Sequence, residues 1–334
     1  MNPAPPVTRR RTARDNGGAY IRARRTRAEG TPNSLRTPAI RTALQDVLVI
    51  GGGGLLGQHL MREAATRGYR GHGTFASEPI PHHLPLDLSN PRAIRDVLAR
   101  VRPAIVAVAA AMTSVDGCES RPDIAERVNA IAPGEIAEAS RKIGARLVHF
   151  STDYVFDGRS GPSDEGSPTS PINAYGRTKL AGERNVLAAA PDALVIRTCA
   201  NFGWNRLRGK ENSVTWILNS LRAGKPVPLF TDQRVSPSYV PHVARIAFDL
   251  LKKEETGMYH AATKGCLTRY EIGEAVCGTF DLSTSLLKPS TLTEAGLVAP
   301  RPRTSCLVSK RLERFPNIPQ ATFRETLEDM RRTE

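Results

Sequence analysis

The sequence predicts an α/β protein with a doubly wound parallel sheet and a smaller C-terminal lobe. Between residues 46 and 197, short apolar runs rich in β-branched residues alternate with longer helical patterns. Such alternation is typical of right-handed βαβ units in a parallel sheet. After residue 197 the helical stretches are separated by loops that contain proline and glycine. This change indicates a second lobe that is partly interleaved with the last strands of the sheet.

The predicted elements follow one another in a regular order. The run at 46–50 is apolar, β-branched and bounded by glycines, so it predicts a strand that is buried on both faces. Further strands are predicted at 69–75, 84–86, 104–108, 146–150 and 193–196, and helices at 54–67, 91–101, 122–142 and 175–189. Two more helices, at 214–222 and 243–252, belong to the C-terminal lobe.

A glycine-rich turn joins the first strand to the first helix. Gly51, Gly54 and Gly57 are spaced three residues apart. In a dinucleotide site the first permits a tight turn, the second a close approach to a pyrophosphate, and the third close packing of helix on sheet. The helix start at Leu55 and Leu56 offers unpaired amides to phosphate groups. Because these glycines lie between a strand and a helix, they favour a Rossmann-type site over a flexible turn.

A carboxylate at the end of a short predicted strand is a second candidate for cofactor binding. Asp87, followed by Leu88, lies where a side chain can bond an adenine base. An aspartate that caps a helix or a turn is the alternative interpretation of the same residue.

Three polar residues predict the chemistry. Thr152 follows the strand at 146–150 and so emerges at the carboxyl edge of the sheet, where doubly wound folds bind ligands. Tyr175 and Lys179 are four residues apart on one helix and share a face. An ammonium near a phenol lowers the pKa of the phenol and makes it a better acid for ketone reduction. Such a pair alone also occurs on solvated helix faces, but behind a nucleotide turn we expect a catalytic group in which Thr152 binds the substrate oxygen.

These motifs together resemble the extended short-chain dehydrogenase/reductases, and within them the group of dTDP-4-dehydrorhamnose reductases. The resemblance extends from about residue 45 to residue 330. Its most specific motifs are S-T-D-Y-V-F-D-G at 151–158 and Y-G-R-T-K-L-A-G-E at 175–183. Shorter matching motifs lie at 51–57, 109–111, 115–116, 128–130, 232–233, 236–237 and 301–302.

The resemblance implies a set of site residues and ligands. Thr152, Tyr175 and Lys179 would be catalytic, and the latter two would also contact the cofactor. The other implied cofactor-binding residues are Gly51, Gly54, Leu55, Leu56, Gly57, Asp87, Leu88, Ala109, Ala110 and Ala111, and the implied substrate contacts are Val115, Asp116, Asp153 and Asn201. Homodimers, a nucleotide-linked sugar substrate and NADPH or NADH are implied as well. A structural magnesium ion occurs in some members, but no local motif supports a metal site here.

Departures from the family pattern leave the exact sugar open. Met112 stands where an aromatic residue is usual, and Ser238 replaces a threonine. A tryptophan that is usual in the segment at 197–203 is missing. In the family these positions lie near the sugar.

Three functions remain in competition. The first is reduction of a nucleotide-linked 4-keto-6-deoxy sugar by hydride from the nicotinamide and a proton from Tyr175. The second is a sugar-nucleotide dehydratase or epimerase; Tyr154 after Asp153 argues against dehydration, because dehydratases of the family carry a glutamate there. The third is a non-catalytic regulatory subunit like that of methionine adenosyltransferase.

The choice between NADPH and NADH depends on the end of the second strand. No acid or arginine lies directly there, whereas Thr74 and Ser77 can donate hydrogen bonds to a phosphate and Arg70 is a possible partner. Glu78 follows a few residues later and is the alternative, a ribose contact that would favour NADH. We expect dual use with a mild preference for NADPH.

Charge and composition add a terminal segment and restrict the partners. The net charge is +14, of which +8 lies in residues 1–45, where ten arginines face only Asp15 and Glu29. This segment has too little apolar content to fold. We expect residues 1–43 to be a disordered or non-native extension, with a transit-like or polyanion-binding arm as alternatives. The domains are then 44–197 for the dinucleotide and 198–334 for the substrate, with no nucleic-acid partner.

Cysteine usage and hydropathy predict a soluble cytoplasmic protein. The longest apolar runs, such as 104–112, are too short to cross a bilayer, so no membrane partner is expected. The cysteines are scattered and form no C-x-x-C pair, which predicts reduced thiols rather than disulfides or a zinc site. They are Cys118, Cys199, Cys266, Cys277 and Cys306.

Overall fold

A seven-stranded parallel sheet organises the residues that the computed structural model describes, 44–207, 209–318 and 320–334. The predicted extension at 1–43 lies outside them. In sequence order the described strands are β1 (Asp46–Ile50), β2 (Arg70–Phe75), β3 (His83–Pro85), β4 (Ile105–Val108), β5 (Arg146–Thr152), β6 (Leu194–Thr198), β7 (Val227–Phe230), β8 (Arg234–Val235), β9 (Gly257–His260), β10 (Leu267–Thr268), β11 (Leu287–Ser290) and β12 (Thr304–Ser305).

The order of the strands across the main sheet is β3-β2-β1-β4-β5-β6-β9, and each neighbouring pair is parallel. The chain moves outward from β1 to β3 and then returns to the other side of β1 at β4. Such a reversal opens a crevice at the carboxyl ends of the strands, where ligands bind. The predicted doubly wound fold is confirmed.

Helices cover both faces of this sheet. The described helices are α1 (Leu55–Thr66), α2 (Pro91–Val101), α3 (Val115–Ser120), α4 (Pro122–Glu126), α5 (Ala132–Lys142), α6 (Ala174–Ala189), α7 (Ser213–Arg222), α8 (Val240–Lys252), α9 (Arg269–Thr279) and α10 (Phe323–Arg332). Val47 and Val49 of β1 pack in one core with α1 and α8, and Leu48 and Ile50 pack in another with α2 and α5. The continuous apolar run in β1 reflects burial on both sides.

The predicted helix at 122–142 is divided. It consists of α4, a π-helical segment at Arg127–Ile131, and α5. The wider turn carries Asn129, whose side chain accepts a hydrogen bond from the Met112 amide at 2.8 Å and donates one to the Met112 carbonyl at 3.0 Å. Single π turns inside helices often lie at functional sites, and this one holds the loop that follows β4.

The C-terminal part of the chain contributes to the sheet and also forms its own core. β9 pairs with β6, and α8 packs on α1, so both belong to the main sheet layer. The strands β10, β8 and β12 form a small sheet, and β7 pairs with β11. Around them α7, α9 and α10 bury apolar side chains such as Leu218, Val276 and Leu327. The division at residue 197, with this interleaving, remains our proposal.

The prediction that all cysteines are reduced thiols is wrong for two of them. Cys266 and Cys306 form a disulfide with their Cα atoms 5.5 Å apart. Cys266 precedes β10 and Cys306 follows β12, and both strands pair with β8. Their separation of 40 residues carries no local spacing signal, because only the folded sheet makes them neighbours. The other three cysteines are free and buried.

This disulfide yields a prediction for stability. Replacing both Cys266 and Cys306 by serine should lower the free energy of unfolding by about 3–4 kcal/mol, because the open chain regains the entropy of a long loop. Denaturant titration measures the loss. A dithiol reductant should lower the stability of the wild type and of a Cys277→Ala control, but not that of the double variant. Equal sensitivity of all three proteins would contradict the disulfide.

Candidate active site

The turn between β1 and α1 closes tightly on itself at the carboxyl edge of the sheet. Gly51 has a φ angle of 87°, and its amide donates to Thr74 Oγ1 at 3.0 Å. A Cβ atom on Gly57 would lie 2.0 Å from the Gly51 carbonyl oxygen, and one on Gly51 would lie 2.8 Å from the Ala110 nitrogen. The packing of the turn itself therefore requires both glycines.

Gly54 is different, because space in front of it is open. It caps α1 with φ −73° and ψ 168°, an extended conformation that any residue adopts. A Cβ atom there would meet only the Gly51 carbonyl oxygen, at 3.3 Å. No side chain caps the first amides of α1, and its first turn contains no acidic residue. This end of α1 fits the pyrophosphate of a dinucleotide, which needs unpaired amides and no competing negative charge.

The other residues implied for the cofactor surround this turn. Leu56 is buried, and Leu55 packs against the core beneath α1. The amides of Ala109 and Ala110 both donate to the Ile50 carbonyl, at 3.0 and 2.9 Å, and so extend the pairing of β4 with β1. These alanines and Ala111 are partly exposed, which leaves a floor of small side chains next to the glycine turn.

Asp87 and Leu88 follow β3 at the same edge. Asp87 is exposed, and its Oδ1 accepts a hydrogen bond from the Ser89 amide at 2.8 Å, which lowers the pKa of this carboxyl. That bond is the turn-capping role given above as the alternative, and the adenine contact stays a prediction. Leu88 is buried in the core below α2.

Thr152 and Tyr175 meet where β5 ends. Thr152 is buried; its Oγ1 donates to Asp153 Oδ1 at 3.0 Å and accepts from the Tyr154 amide at 3.2 Å. Tyr175 lies in the first turn of α6, with its ring edge-on to that of Tyr154 at 5.7 Å between centroids. Burial raises the pKa of Tyr175, and the nearby Thr152 hydroxyl opposes that rise, so the expectation that the Lys179 ammonium lowers the pKa of this phenol is wrong. Near neutral pH Tyr175 is therefore a protonated phenol.

Lys179 lies one helical turn further along α6 and is buried against the end of β5. Its ammonium donates to the Phe150 carbonyl at 2.7 Å and lies 3.4 Å from His149 Nε2. Burial lowers the pKa of Lys179 to about 8, and the negative charge of Glu183 partly opposes this. The structure thus brings Thr152 and Tyr175 together at the carboxyl edge of the sheet, whereas the Lys179 ammonium, one helical turn away, is directed to Phe150 and His149.

Asp153 lies below this group and has its oxygens occupied. Its Oδ1 accepts from Thr152, as described, and its Oδ2 accepts from Cys199 Sγ at 3.1 Å. Burial raises the pKa of Asp153, and nearby Ser305 and Cys199 oppose that rise. Its contacts hold Thr152 in place, whereas its implied contact with substrate stays a prediction.

The other implied substrate contacts lie after two different strands, Val115 and Asp116 at the start of α3 after β4, and Asn201 after β6. Asp116 binds both Nη atoms of Arg301 at 3.0 Å and accepts from the Ala299 amide at 2.8 Å. The Arg301 guanidinium lowers the pKa of Asp116. Val115 begins α3 beside it, and Asn201 has a buried Oδ1 with no partner among the described residues. Asp116 thus fastens the segment before β12 to α3.

Two interactions at the site were not predicted from the sequence. One is the pair of hydrogen bonds between the Asn129 side chain and the Met112 backbone described above. The other is a buried ion pair in which Arg197 Nε and Nη2 bind the two oxygens of Glu183 at 2.8 and 2.7 Å. Glu183 lies one turn beyond Lys179, so the i+4 spacing that identified Tyr175 and Lys179 continues to it and would have shown that it shares their face.

The residues that depart from the family pattern lie at different depths. Met112 is partly buried and packs in a small cluster with Tyr175. Ser238 is fully buried; its hydroxyl donates to the Ala261 carbonyl at 2.5 Å and accepts from the Cys199 amide at 3.0 Å. Ser238 therefore supports the strand end that carries Cys199, and Met112 is the departure that adjoins the catalytic group.

Two features are absent from the described residues, a cluster of metal-ligating side chains and a membrane-spanning helix. These residues contain no group of three or more histidine, cysteine, aspartate or glutamate side chains arranged to hold a metal ion. Within 44–207, 209–318 and 320–334 no helix combines the length and the apolarity needed to span a membrane.

Comparison with known proteins identifies the family. The family described as RmlD substrate binding domain matches residues 45–333. The chain belongs to this family. A probable low-salt glycan biosynthesis reductase, Agl14, of Haloferax volcanii is 35% identical and covers 84% of this chain and 95% of its own. A dTDP-4-dehydrorhamnose reductase of Mycolicibacterium smegmatis is 32% identical and covers 89% and 88%. The resemblance stated above is confirmed.

Solved structures and a relative with a different name complete the comparison. The crystal structure of a Bacillus anthracis dTDP-4-dehydrorhamnose reductase in complex with NADP has a TM-score of 0.79 at 28% identity, and covers 87% of this chain and all of that one. The β subunit of methionine adenosyltransferase 2 from Danio rerio is 30% identical and covers 87% and 91%. The relatives of this chain thus carry the names of reductases and of a subunit.

The glycine turn yields a prediction with a matched pair of variants. Gly57→Ala should lower the free energy of unfolding by about 1–3 kcal/mol, because its Cβ atom overlaps the Gly51 carbonyl oxygen. Gly54→Val should cost less stability than Gly57→Ala, because its Cβ atom meets only the Gly51 carbonyl oxygen, at 3.3 Å, and it should weaken NADPH binding by more than about tenfold. Thermal melts and calorimetry measure the two effects. A Gly54→Val variant that binds NADPH normally would show that the pyrophosphate does not lie here.

Proposed function

We propose that this chain is an NAD(P)H-dependent oxidoreductase that reduces the 4-keto group of a nucleotide-linked 4-keto-6-deoxy sugar. The observation that carries the proposal is the meeting of Thr152 and Tyr175 at the end of β5, with Lys179 one turn along the same helix, at the sheet edge that also carries the glycine turn and the uncapped start of α1. The names of the reductases in the RmlD family support the same reaction. Bound in the crevice, NADPH or NADH would supply the hydride that reduces the carbonyl carbon.

Each of the three side chains has a task that its surroundings support. Tyr175 donates its phenolic proton to the ketone oxygen, and its raised pKa keeps that proton in place near neutral pH. Thr152 provides a hydrogen bond to the same oxygen as negative charge develops. Lys179 carries a positive charge that stabilises the phenolate left on Tyr175 and is a candidate to hold the nicotinamide ribose.

The remaining ligands follow from the same proposal. The glycine turn with Leu55 and Leu56 binds the pyrophosphate, and Ala109 to Ala111 form the floor beneath the cofactor. Val115 and Asp116 at the start of α3, and Asn201 after β6, are the proposed contacts of the nucleotide sugar. A mild preference for NADPH and a homodimer remain parts of the proposal.

A regulatory subunit is the second candidate, since a methionine adenosyltransferase subunit is 30% identical to this chain. The two candidates differ because only the reductase should oxidise the cofactor with a sugar substrate. Cofactor oxidation, followed by absorbance against a panel of nucleotide-linked 4-keto sugars, should identify at least one substrate of a reductase. Tight cofactor binding without oxidation by any sugar in the panel would favour the regulatory subunit. Exchange of label at C3 or C5 of the sugar without oxidation would favour an epimerase.

The proton donor can be tested directly. Tyr175→Phe should lower the turnover number by about 10²–10⁴, because the ring remains and only the proton donor is lost. Its affinity for NADPH should stay close to that of the wild type. Tyr69→Phe is the control, since Tyr69 packs against Phe248 on the outer layer of the sheet. Wild-type turnover of Tyr175→Phe would contradict the mechanism.

Lys179 yields a prediction about pH. With a pKa of about 8, Lys179 is an ammonium below pH 8 and loses its charge as the pH rises through this value. The kcat/KM for ketone reduction should therefore be highest below pH 8 and fall above it. The raised pKa of Tyr175 keeps the phenol protonated over the same range, so Lys179 accounts for the decline. In Lys179→Arg any residual activity should persist to higher pH, because a guanidinium stays charged. A wild-type profile that is flat to pH 9.5 would contradict this assignment.

A further inference from the structure

The end of β2 lacks the groups that usually distinguish NADPH from NADH. In doubly wound folds this strand end contacts the 2′ oxygen of the adenosine ribose. β2 ends at Phe75, which is neither acidic nor basic. Arg70 begins β2 instead, and its Nε and Nη2 bind Asp46 at 2.5 and 2.7 Å. Five residues of extended strand place Arg70 about 16 Å from Phe75, so the suggestion that Arg70 reaches the phosphate is wrong.

A histidine occupies the space next to this strand end. His83 is the first residue of β3 and pairs with Gly73 of β2. A Cβ atom on Gly73 would lie 2.1 Å from His83 Cδ2 and 2.3 Å from its Nε2, and one on Gly52 would lie 3.0 Å from both atoms. The imidazole therefore lies directly on the backbones of Gly52 and Gly73, and no side chain separates it from the glycine turn.

The two ring nitrogens of His83 have different surroundings. Nδ1 lies 3.0 Å from the Pro81 carbonyl oxygen and is therefore its donor. Nε2 is buried and has no hydrogen-bond partner among the described residues. A buried polar atom without a partner is unfavourable, and such atoms often belong to binding sites whose ligand supplies the partner. The unpartnered nitrogen lies against Gly52, which is part of the proposed phosphate turn.

We propose that His83 recognises the 2′ position of the adenosine ribose and binds the 2′-phosphate of NADPH. This inference rests on the proposed dinucleotide site, because Gly52 and the end of β2 border the adenosine ribose in such a site. Because Nδ1 donates to Pro81, Nε2 can donate to a phosphate oxygen only when the imidazole is protonated, and that charge-assisted hydrogen bond would supply the partner that Nε2 lacks. His83 thus takes the place of the arginine that NADP-dependent folds usually have at this position.

The competing possibility is that Glu78 binds the ribose hydroxyls. Glu78 is exposed and lies three residues beyond the end of β2. A carboxylate at that point would favour NADH and repel a 2′-phosphate. The two possibilities predict opposite effects when His83 is replaced, and binding measurements distinguish them without any sugar substrate.

The test compares ligands that differ only at the 2′ position. Calorimetry measures the affinities of the full-length protein for NADPH and NADH, and for the fragments adenosine 2′,5′-bisphosphate and AMP. The variant is His83→Leu, which keeps a side chain of similar size over Gly73 but removes both nitrogens. His82→Asn is the matched control, because His82 is the adjacent exposed histidine with a φ of 62° that asparagine tolerates. If His83→Leu melts well below the wild type, His83→Gln replaces it.

His83→Leu should weaken the binding of NADPH and of the bisphosphate by about tenfold or more, and leave NADH and AMP within about twofold. His82→Asn should change none of the four affinities by more than that. Equal weakening of NADPH and NADH would overturn the proposal and make His83 a support for the turn. Unchanged NADPH affinity, or selective loss of NADH, would overturn it as well. A wild type that binds NADPH but reduces no sugar would refute the proposed function and leave His83 unaffected.

Discussion

The close approach of α6 to the end of β5 is the constraint on which the candidate site depends. Gly176 permits it, because a Cβ atom there would lie 2.1 Å from the Tyr154 carbonyl oxygen; Gly182 similarly lets α6 approach the π-helical segment, since its Cβ atom would lie 2.2 Å from the Asn129 carbonyl oxygen. At this distance Lys179 reaches the Phe150 carbonyl. Tyr175, one turn earlier, then lies next to Thr152, so a packing requirement of the helix fixes the geometry of the proposed catalysis.

The same approach buries charge, which the protein must balance. The ion pair of Glu183 with Arg197 is almost inaccessible to solvent, and losing one partner of such a pair typically costs about 3–5 kcal/mol. The pair joins α6 to β6, beside the strand that ends in Thr152. At Lys179 burial is the larger influence and lowers the pKa of the ammonium to about 8, while the negative charge of Glu183 only partly opposes it. A lysine that titrates near neutral pH is thus a consequence of how α6 is held.

How far the sequence predicts this arrangement depends on the range of each interaction. The strand at β1 and the shared face of Tyr175 and Lys179 follow from local patterns, because an apolar run and an i+4 spacing act within a few residues. The pairing of Cys266 with Cys306 and that of Asp116 with Arg301 could not be predicted, since they join residues 40 and 185 positions apart. The π turn at Asn129 depends on a hydrogen bond to Met112, in a loop 17 residues away, so the helical pattern alone could not predict it either.

The hydroxyl of Thr152 has one proton, and this limits the proposed mechanism. In the structure that proton is directed to Asp153 Oδ1, at 3.0 Å between oxygens. For Thr152 to donate to a ketone oxygen as well, Asp153 must become the donor in their shared hydrogen bond, which requires a protonated carboxyl. Burial raises the pKa of Asp153 and so favours that form. Cys199, which contacts the other oxygen of Asp153, also resists ionisation, because burial raises the pKa of its thiol. Burial of Asp153 and Cys199 beneath the catalytic group therefore shifts the proton balance in the direction that the proposed role of Thr152 requires.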